Sequence, residues 1–201
     1  AGWLPIPVIS VEQGGLVYTE RVFVAPCDEA GSDRARLNRR SVCVTEFSLK
    51  NPTSTTRNTS LALSFLAHTR EKTLAQLTPS SGGFLLSDDS GDFGLVLTNG
   101  VAPLQVQASG GRLIFTGALP PGGEAQCVVL LPAQREDLLR LPEAASLRQG
   151  VEAYWNAVLA PAMQVETPDP LLNNVIRSSQ VRCLIAARNE ADGARVAAWI
   201  A

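Results

Sequence analysis

The sequence has very little histidine, almost no net charge and no long apolar run. His68 is the only histidine among 201 residues, and the net charge at pH 7 is −2. A lone histidine at the end of a predicted strand, without a neighbouring base or metal ligand, favours a structural role over catalysis. The charge balance provides no global positive field for nucleic acid or acidic lipid. No apolar run approaches the ~20 residues of a membrane-spanning helix, so we expect no nucleic-acid partner and no membrane partner.

Cysteine is sparse and lacks the spacing of a metal site. The four cysteines are Cys27, Cys43, Cys127 and Cys183, and none stands in a Cys-x-x-Cys pair. Zinc sites usually contain such close pairs, so the sequence predicts no metal site and no cofactor. We expect all four thiols to be reduced and structural, those at 43, 127 and 183 as small buried apolar groups.

Two charged clusters suggest a binding role that their surroundings argue against. Residues 27–40 contain four arginines, but acidic residues lie among them and no aromatic side chain is interleaved for base stacking, which favours a solvated loop. Residues 88–92 have the acidic content of a calcium loop. Leu97 stands where a helix-loop-helix calcium site needs glutamate, so a plain hairpin turn is predicted.

Residues 1–133 are predicted to form a large antiparallel β-sandwich. Short strands recur at intervals of roughly 8 to 12 residues, each bounded by glycine, proline, asparagine or aspartate, which is typical of a sandwich or barrel. Pro5 and Pro7 indicate that the segment 3–11 is an edge strand or an extended arm rather than a central strand, and a Gly-Gly turn at 14–15 leads into the next strand. Segments 41–51 and 61–68 are predicted to pair as a hairpin around Asn51.

The hydrophobic period changes after Pro132 from about two residues to 3.6, which predicts helices. The first predicted helix has a continuous apolar face on which Trp155 is expected to be buried. That face comprises Leu147, Val151, Tyr154, Trp155, Val158 and Leu159. A second helix is predicted to begin with Asp169 as N-cap and Pro170 in the first helical position. Its apolar face comprises Leu172, Val175, Ile176 and Cys183.

The order of these elements resembles the six-hairpin glycosidase superfamily. The resemblance rests on a final "PGGEAQCVVLLP" strand, a linker helix with Tyr154-Trp155-Asn156, and the segment Val165-Glu166-Thr167-Pro168-Asp169 before a new helix. It is nearest to the cellobiose and chitobiose phosphorylases and also extends to glucoamylase-like enzymes. The resemblance implies a β-supersandwich at 1–133 and a helical linker at 134–163. Residues 164–201 would be the first helix and partial hairpin of a truncated (α/α)6 toroid.

The resemblance implies a non-catalytic part of a glycoside hydrolase or glycoside phosphorylase. The family's catalytic carboxylates lie deeper in the toroid, so no catalytic residue is assigned here. The partners implied are the rest of the parent chain and, through it, a carbohydrate substrate. The loop after the first toroid helix would bring Arg188, Asn189, Glu190 and Arg195 near the sugar, with an exposed helix-to-helix turn as the equal alternative. Glu152, Glu166 and Asp169 are expected to have surface or capping roles.

Two other functions are alternatives to this one. The chain could be a free-standing β-sandwich that binds carbohydrate or protein. It could also be a sugar mutarotase, which the single histidine argues against. The sequence begins Ala-Gly-Trp, which fits a mature secreted protein or an excised piece equally well, so the compartment stays open.

Overall fold

The computed structural model describes residues 2–28, 39–68, 73–185, 187–190 and 193–196, with only the backbone for 68, 187–190 and 193–196. The chain is mainly β, with 47% strand and 22% helix, and contains a large antiparallel sheet. The mainly β fold predicted from the strand pattern is therefore confirmed. The start of an (α/α)6 toroid stays a prediction.

The larger sheet has seven strands. In chain order they are β1 (Val8–Gln13), β2 (Leu16–Pro26), β3 (Ser41–Lys50), β7 (Gln76–Ser80), β8 (Gly83–Asp88), β9 (Gly91–Leu97) and β12 (Glu124–Pro132). Across the sheet the order is β1-β2-β3-β12-β9-β8-β7. The predicted edge position of the first strand is confirmed. Gly14 and Gly15 both have positive φ, 62° and 77°, as a two-residue type I′ hairpin turn requires.

The smaller sheet has three strands and forms the second layer of the core. Its strands are β4 (Arg57–Ser64), β10 (Gln105–Ser109) and β11 (Arg112–Leu119), in the order β10-β11-β4. Two short strands, β5 (Leu66–His68) and β6 (Thr73–Leu74), pair separately. Side chains from both sheets share one core, in which Leu86 and Val96 of the larger sheet and Leu113 and Phe115 of the smaller sheet are almost fully buried. The two sheets therefore form a β-sandwich.

The predicted hairpin around Asn51 is wrong, because β3 and β4 belong to different sheets. Asn51 is fully buried where the chain passes from one sheet to the other. Its Nδ2 donates to the carbonyls of Thr55 (2.8 Å), Leu119 (2.9 Å) and Pro120 (3.1 Å). Its Oδ1 accepts from the N–H of Thr53 (3.0 Å) and lies 2.7 Å from the Thr53 hydroxyl. A single side chain thus ties the crossing to the end of β11.

The acidic turn at 88–92 joins β8 to β9 as a hairpin, as predicted. The Asp88 carboxylate accepts from the Ser90 N–H at 2.8 Å and from Arg135 at 2.6 Å. Arg135 also donates to the Gly91 carbonyl at 2.7 Å. The turn is therefore stabilised from within by the Asp88 carboxylate and from outside by Arg135, which follows the last sandwich strand.

The sandwich strands end at Pro132, as the change of hydrophobic period predicted. It is followed by a 3₁₀ helix (Arg135–Arg140), α1 (Ala144–Leu159) and α2 (Pro170–Ile185). None of the helices in the described ranges is long and apolar enough to cross a membrane. Beyond α2 the described backbone forms a pair of short strands, β13 (Ala187–Glu190) and β14 (Gly193–Val196).

The chain divides into two compact units. The sandwich unit comprises Pro7–Phe23 and Val42–Leu141, and the helical unit comprises the described residues within Ala1–Ile6, Val24–Ser41 and Pro142–Ala201. This division does not follow chain order, because residues of the loop between β2 and β3 join the helices. The predicted boundaries after residues 133 and 163 remain predictions.

Candidate functional site

The four residues predicted to lie near a sugar fall on the terminal strand pair. Arg188, Asn189 and Glu190 are on β13 and Arg195 is on β14, and their side chains lie outside the described residues. In the antiparallel register Arg188 is opposite Arg195, and Glu190 is opposite Gly193. The backbone at these positions is thus a β-hairpin rather than a plain turn between helices. Residues directly opposite in such a pair share one face, so the register brings the two arginine positions together.

The Thr-Pro-Asp segment fixes the start of α2. The Thr167 N–H donates to Asn173 Oδ1 at 2.8 Å, and Asn173 Nδ2 returns a bond to the Thr167 carbonyl at 3.0 Å. Asp169 Oδ1 accepts from the Leu171 N–H at 2.8 Å, which confirms it as the N-cap. The segment therefore has a clear structural task, which is to orient the first turn of the helix.

One side of α2 contacts its own unit. Val181 is 2% exposed, Arg177 lies over the Trp3 ring, and Gln180 donates to the Met163 carbonyl at 2.8 Å. These contacts hold the helix against the N-terminal residues and against the link that precedes it.

The opposite side of α2 is apolar and exposed. Three residues on it carry large exposed side chains, Leu171 (71%), Leu172 (45%) and Val175 (53%). Ile185 is also exposed (59%), but it lies one turn after Val181 on the other side of the helix. The predicted apolar face is present on the helix, but Leu172 and Val175 are not covered. Cys183 is also exposed, so the prediction that its thiol is buried is wrong. A contiguous apolar patch on the surface of a folded protein often marks a site of protein contact.

A buried ion pair in the helical unit was missed by the sequence analysis. Arg39 and Asp28 form a salt bridge through Nη2 and Oδ1, with a second contact from Arg39 Nε at 3.0 Å. The Arg39 side chain is only 3% exposed and its guanidinium lies 5.8 Å from the centre of the Tyr154 ring. The prediction of a solvated loop at 27–40 is therefore wrong for these two residues, while 29–38 lie outside the described residues. One feature of the sequence could have indicated this ion pair. An acidic and a basic residue stand near the two ends of the same loop between predicted strands.

A cleft of about 340 Å³ lies beside this ion pair. Its polar lining includes Asp28, Arg39, Ser146 and Gln149, and Pro26, Pro142, Leu147 and Gly150 complete it. Carboxylate, guanidinium, hydroxyl and amide groups can each hydrogen-bond to a hydroxylated ligand. The Ser146 hydroxyl and the Gln149 amide could therefore bond to a small polar molecule there, whereas Asp28 and Arg39 are paired with each other.

The ionisable groups around the cleft are poorly suited to nucleophilic chemistry. Burial raises the pKa of the Cys27 thiol, although Arg40 and Arg39 oppose this effect. Burial also raises the pKa of the Tyr154 phenol, again opposed by Arg39. Both groups are therefore neutral at pH 7, and a neutral thiol is a weak nucleophile. Neither group is therefore activated as a nucleophile at pH 7.

The remaining candidates have ordinary surroundings. Glu152 and Glu166 are exposed, and Asp169 is used as a helix cap. His68 ends β5, with its side chain outside the described residues. Within the described ranges no three histidine, cysteine, aspartate or glutamate side chains are grouped to hold a metal ion.

No model of a known protein family matches the chain, and no curated protein is significantly similar to it.

Proposed function

We propose that this chain is the non-catalytic β-sandwich, linker and first toroid helix of a carbohydrate-active enzyme of the six-hairpin glycosidase kind. The parent would be a glycoside hydrolase or a glycoside phosphorylase. In this proposal the sandwich unit braces a catalytic helical toroid to which α2 belongs. The sandwich, the helix α1, the extended link and the capped helix α2 follow in the order that this family shows.

The observation that carries the proposal is the uncovered apolar face of α2. The first turn of the helix is fixed by Asp169 and Asn173, so the helix has a definite orientation. Its outer face nevertheless exposes Leu171, Leu172 and Val175 to water. In a toroid, this face would be covered by neighbouring helices, and each buried leucine or valine would contribute about 1.5–3 kcal/mol.

The proposal assigns no acid, base or nucleophile to this chain. Glycoside cleavage needs two carboxyl groups roughly 5 to 9.5 Å apart across the bond. In the proposed parent these come from the remainder of the toroid. Arg188, Asn189, Glu190 and Arg195 on the terminal hairpin would lie at the rim of the cleft and would hydrogen-bond to sugar hydroxyls.

The first test compares the chain with the longer parent. Both are assayed on aryl glycosides, and on disaccharides with inorganic phosphate. We expect turnover by the parent only, and in the parent Arg188→Ala or Asn189→Ala should raise KM while kcat changes little. Turnover by the purified 201-residue chain that is abolished by changing one of its own carboxylates would contradict the proposal.

The second test addresses the α2 face directly. Val175→Glu should leave the isolated chain folded, because the side chain is already 53% exposed. In the parent the same change would bury a charge and should cause misfolding or loss of activity. Leu139→Glu is the matched control, since Leu139 is 93% exposed on the 3₁₀ helix. Equal, small effects of the two changes in the parent would show that α2 packs against no further helix.

The alternative function is a free-standing carbohydrate- or protein-binding module, which the cleft beside Arg39 favours. Isothermal titration of the isolated chain with a panel of oligosaccharides tests it. Saturable binding that is lost in Gln149→Ala, a lining residue of the cleft, would favour the module. Absence of binding in the isolated chain, with activity in the parent, would favour the enzyme fragment.

A further inference from the structure

The two sheets of the sandwich unit end unevenly on one side. The smaller sheet ends at β4, whereas the larger sheet continues beneath it to β2 and β1. Tyr18 of β2 bonds to Thr59 of β4, with 3.1 Å between their hydroxyl oxygens, so β4 lies above β2. Adjacent strands are about 4.8 Å apart, so a single additional strand beside β4 would lie above β1.

The core-facing side of β1 is consequently uncovered. Ile9 pairs with Glu20 and Val11 pairs with Tyr18. Tyr18 packs against the sandwich core, so its cross-strand neighbour Val11 and the next alternate residue, Ile9, are on the same face. Ile9 is nevertheless 61% exposed and Val11 54% exposed. Together with Tyr18, Phe47, Leu49 and Leu61 they line a cleft of about 180 Å³.

The free edge of β4 presents its main chain toward this cleft. The Phe65 N–H donates to the Gly111 carbonyl at 3.0 Å, which sets the alternation of the β4–β11 ladder. Bonded and non-bonded pairs alternate in an antiparallel ladder, so Leu61 and Leu63 direct their main-chain groups toward β11. The groups of Ser60 and Ala62 point away from β11, and both residues are exposed. In the described part of the chain, no further strand pairs with this edge.

We propose that this edge accepts one additional β-strand from a peptide segment with alternating apolar residues. Its main chain would pair with Ser60 and Ala62, and its apolar side chains would cover Ile9 and Val11. Glu20 lines the cleft, and among the described residues no ion pair involves its carboxylate. A lysine or arginine in the added strand would therefore complement it. Recognition would be by strand addition, in which backbone bonds supply affinity and alternate side chains supply specificity.

A second copy of the chain is a poor occupant of this edge. Pairing β4 with β4 of another copy about a two-fold axis would place both larger sheets on the same side of the joined sheet. The projecting β1 of each copy would then collide with β2 of the other copy. Pairing β1 with β1 would avoid the collision but would leave Ile9 and Val11 uncovered. A lone extended segment satisfies both the free edge and the uncovered face, and this inference does not depend on the proposed enzymatic parent.

The test measures binding of a fluorescein-labelled peptide, Lys-Val-Thr-Val-Thr-Val-Thr-Lys, to the 201-residue chain by fluorescence polarisation. We expect saturable binding. Ile9→Asp should weaken it by at least about tenfold, because a carboxylate would be placed beneath the added strand. Val8→Asp is the matched control, since Val8 is 51% exposed on the other face of the same strand. It should change affinity by less than about twofold.

Two backbone changes test the strand pairing itself. Ala62→Pro removes an outward N–H without affecting the β4–β11 ladder, and should weaken binding by about 3- to 10-fold at unchanged melting temperature. Two further peptides carry N-methyl groups on alternate amides, one on the odd-numbered and one on the even-numbered residues. Only one of these two sets of N–H groups can face β4, so one peptide should bind like the unmethylated peptide and the other should not bind. No saturable binding, or equal effects of Ile9→Asp and Val8→Asp, would overturn the proposal. It would also be overturned by a concentration-dependent dimer that Ile9→Asp dissociates, because the occupant would then be a second copy.

Discussion

Replacing Asn51 by alanine should destabilise the sandwich unit more than any surface change. Its side chain is fully buried, and its amide donates to the carbonyls of Thr55, Leu119 and Pro120. Its oxygen accepts from the main chain and the hydroxyl of Thr53. Alanine can make none of these bonds, so buried carbonyls near the end of β11 would lose their partners.

The magnitude follows from the bonds that are lost. An amide has two N–H groups, so the three carbonyls share two donors, and two further contacts are made by the oxygen. At about 1 kcal/mol net for each neutral hydrogen bond, Asn51→Ala should cost about 3–5 kcal/mol. Small domains are stable by about 5–15 kcal/mol, so a large part of the stability would be lost.

The assay is urea unfolding followed by far-ultraviolet circular dichroism, which reports the loss of the sandwich strands together with that of the helices. The midpoint should fall with little change in m-value. Asn99→Ala is the matched control, since Asn99 is exposed in a turn, and it should cost less than about 0.5 kcal/mol. A loss below 1 kcal/mol for Asn51→Ala would refute the argument that this side chain holds the crossing between the sheets.

The variant Asn51→Asp tests the donor bonds of the side chain separately from its acceptor bonds. The variant keeps an oxygen for Thr53 but places a carboxyl group against three carbonyl oxygens. Burial and these oxygens should raise its pKa in the folded state above the unfolded value of about 3.9. Its stability should then be greatest at low pH and should fall as the pH rises through the folded pKa. The stability difference between Asn51→Asp and Asn51→Ala, measured at each pH, isolates this dependence.

Local features of the fold were predictable because their signals lie within a few residues. The Gly14-Gly15 turn follows from the need for positive φ at two successive positions. The start of α2 follows from a capping aspartate and a proline in the first helical position. The end of the sandwich strands at Pro132 follows from a change of period.

The partition of strands between sheets was not predictable from local sequence. Segments joined by a short polar connection usually pair, and Asn51 resembled part of an ordinary turn. Its burial depends on carbonyls at Leu119 and Pro120, nearly 70 positions away along the chain, to which it donates. The sequence pattern contains no information on that distant contact.

The candidate sites show the same limit. The apolar face of α2 was predicted, but its exposure depends on which neighbours are present, so Cys183 was wrongly expected to be buried. Asp28 and Arg39 looked like loop charges, yet the pairing of β2 with β3 brings the ends of the loop together and buries the ion pair. Both outcomes depend on contacts between segments that are distant in the sequence, and the local sequence pattern does not specify such contacts.

Two further predictions concern Trp155 and the thiols. Trp155 is 7% exposed, as predicted from its helix face, and Trp155→Ala should cost about 3–5 kcal/mol in urea unfolding; a loss below 1 kcal/mol would contradict its place in a packed core. Burial raises the pKa of the Cys127 thiol from 9.0 to about 12, whereas Cys183 is exposed. A disulfide reagent at pH 8 should therefore label Cys183 at once and Cys127 only after unfolding. Because the folded pKa of Cys127 is the raised one, its contribution to stability is complete below pH 9 and is lost as the pH rises toward 12. Cys127→Ala should flatten that alkaline decline, and an unchanged slope would show that the thiol is not the group responsible.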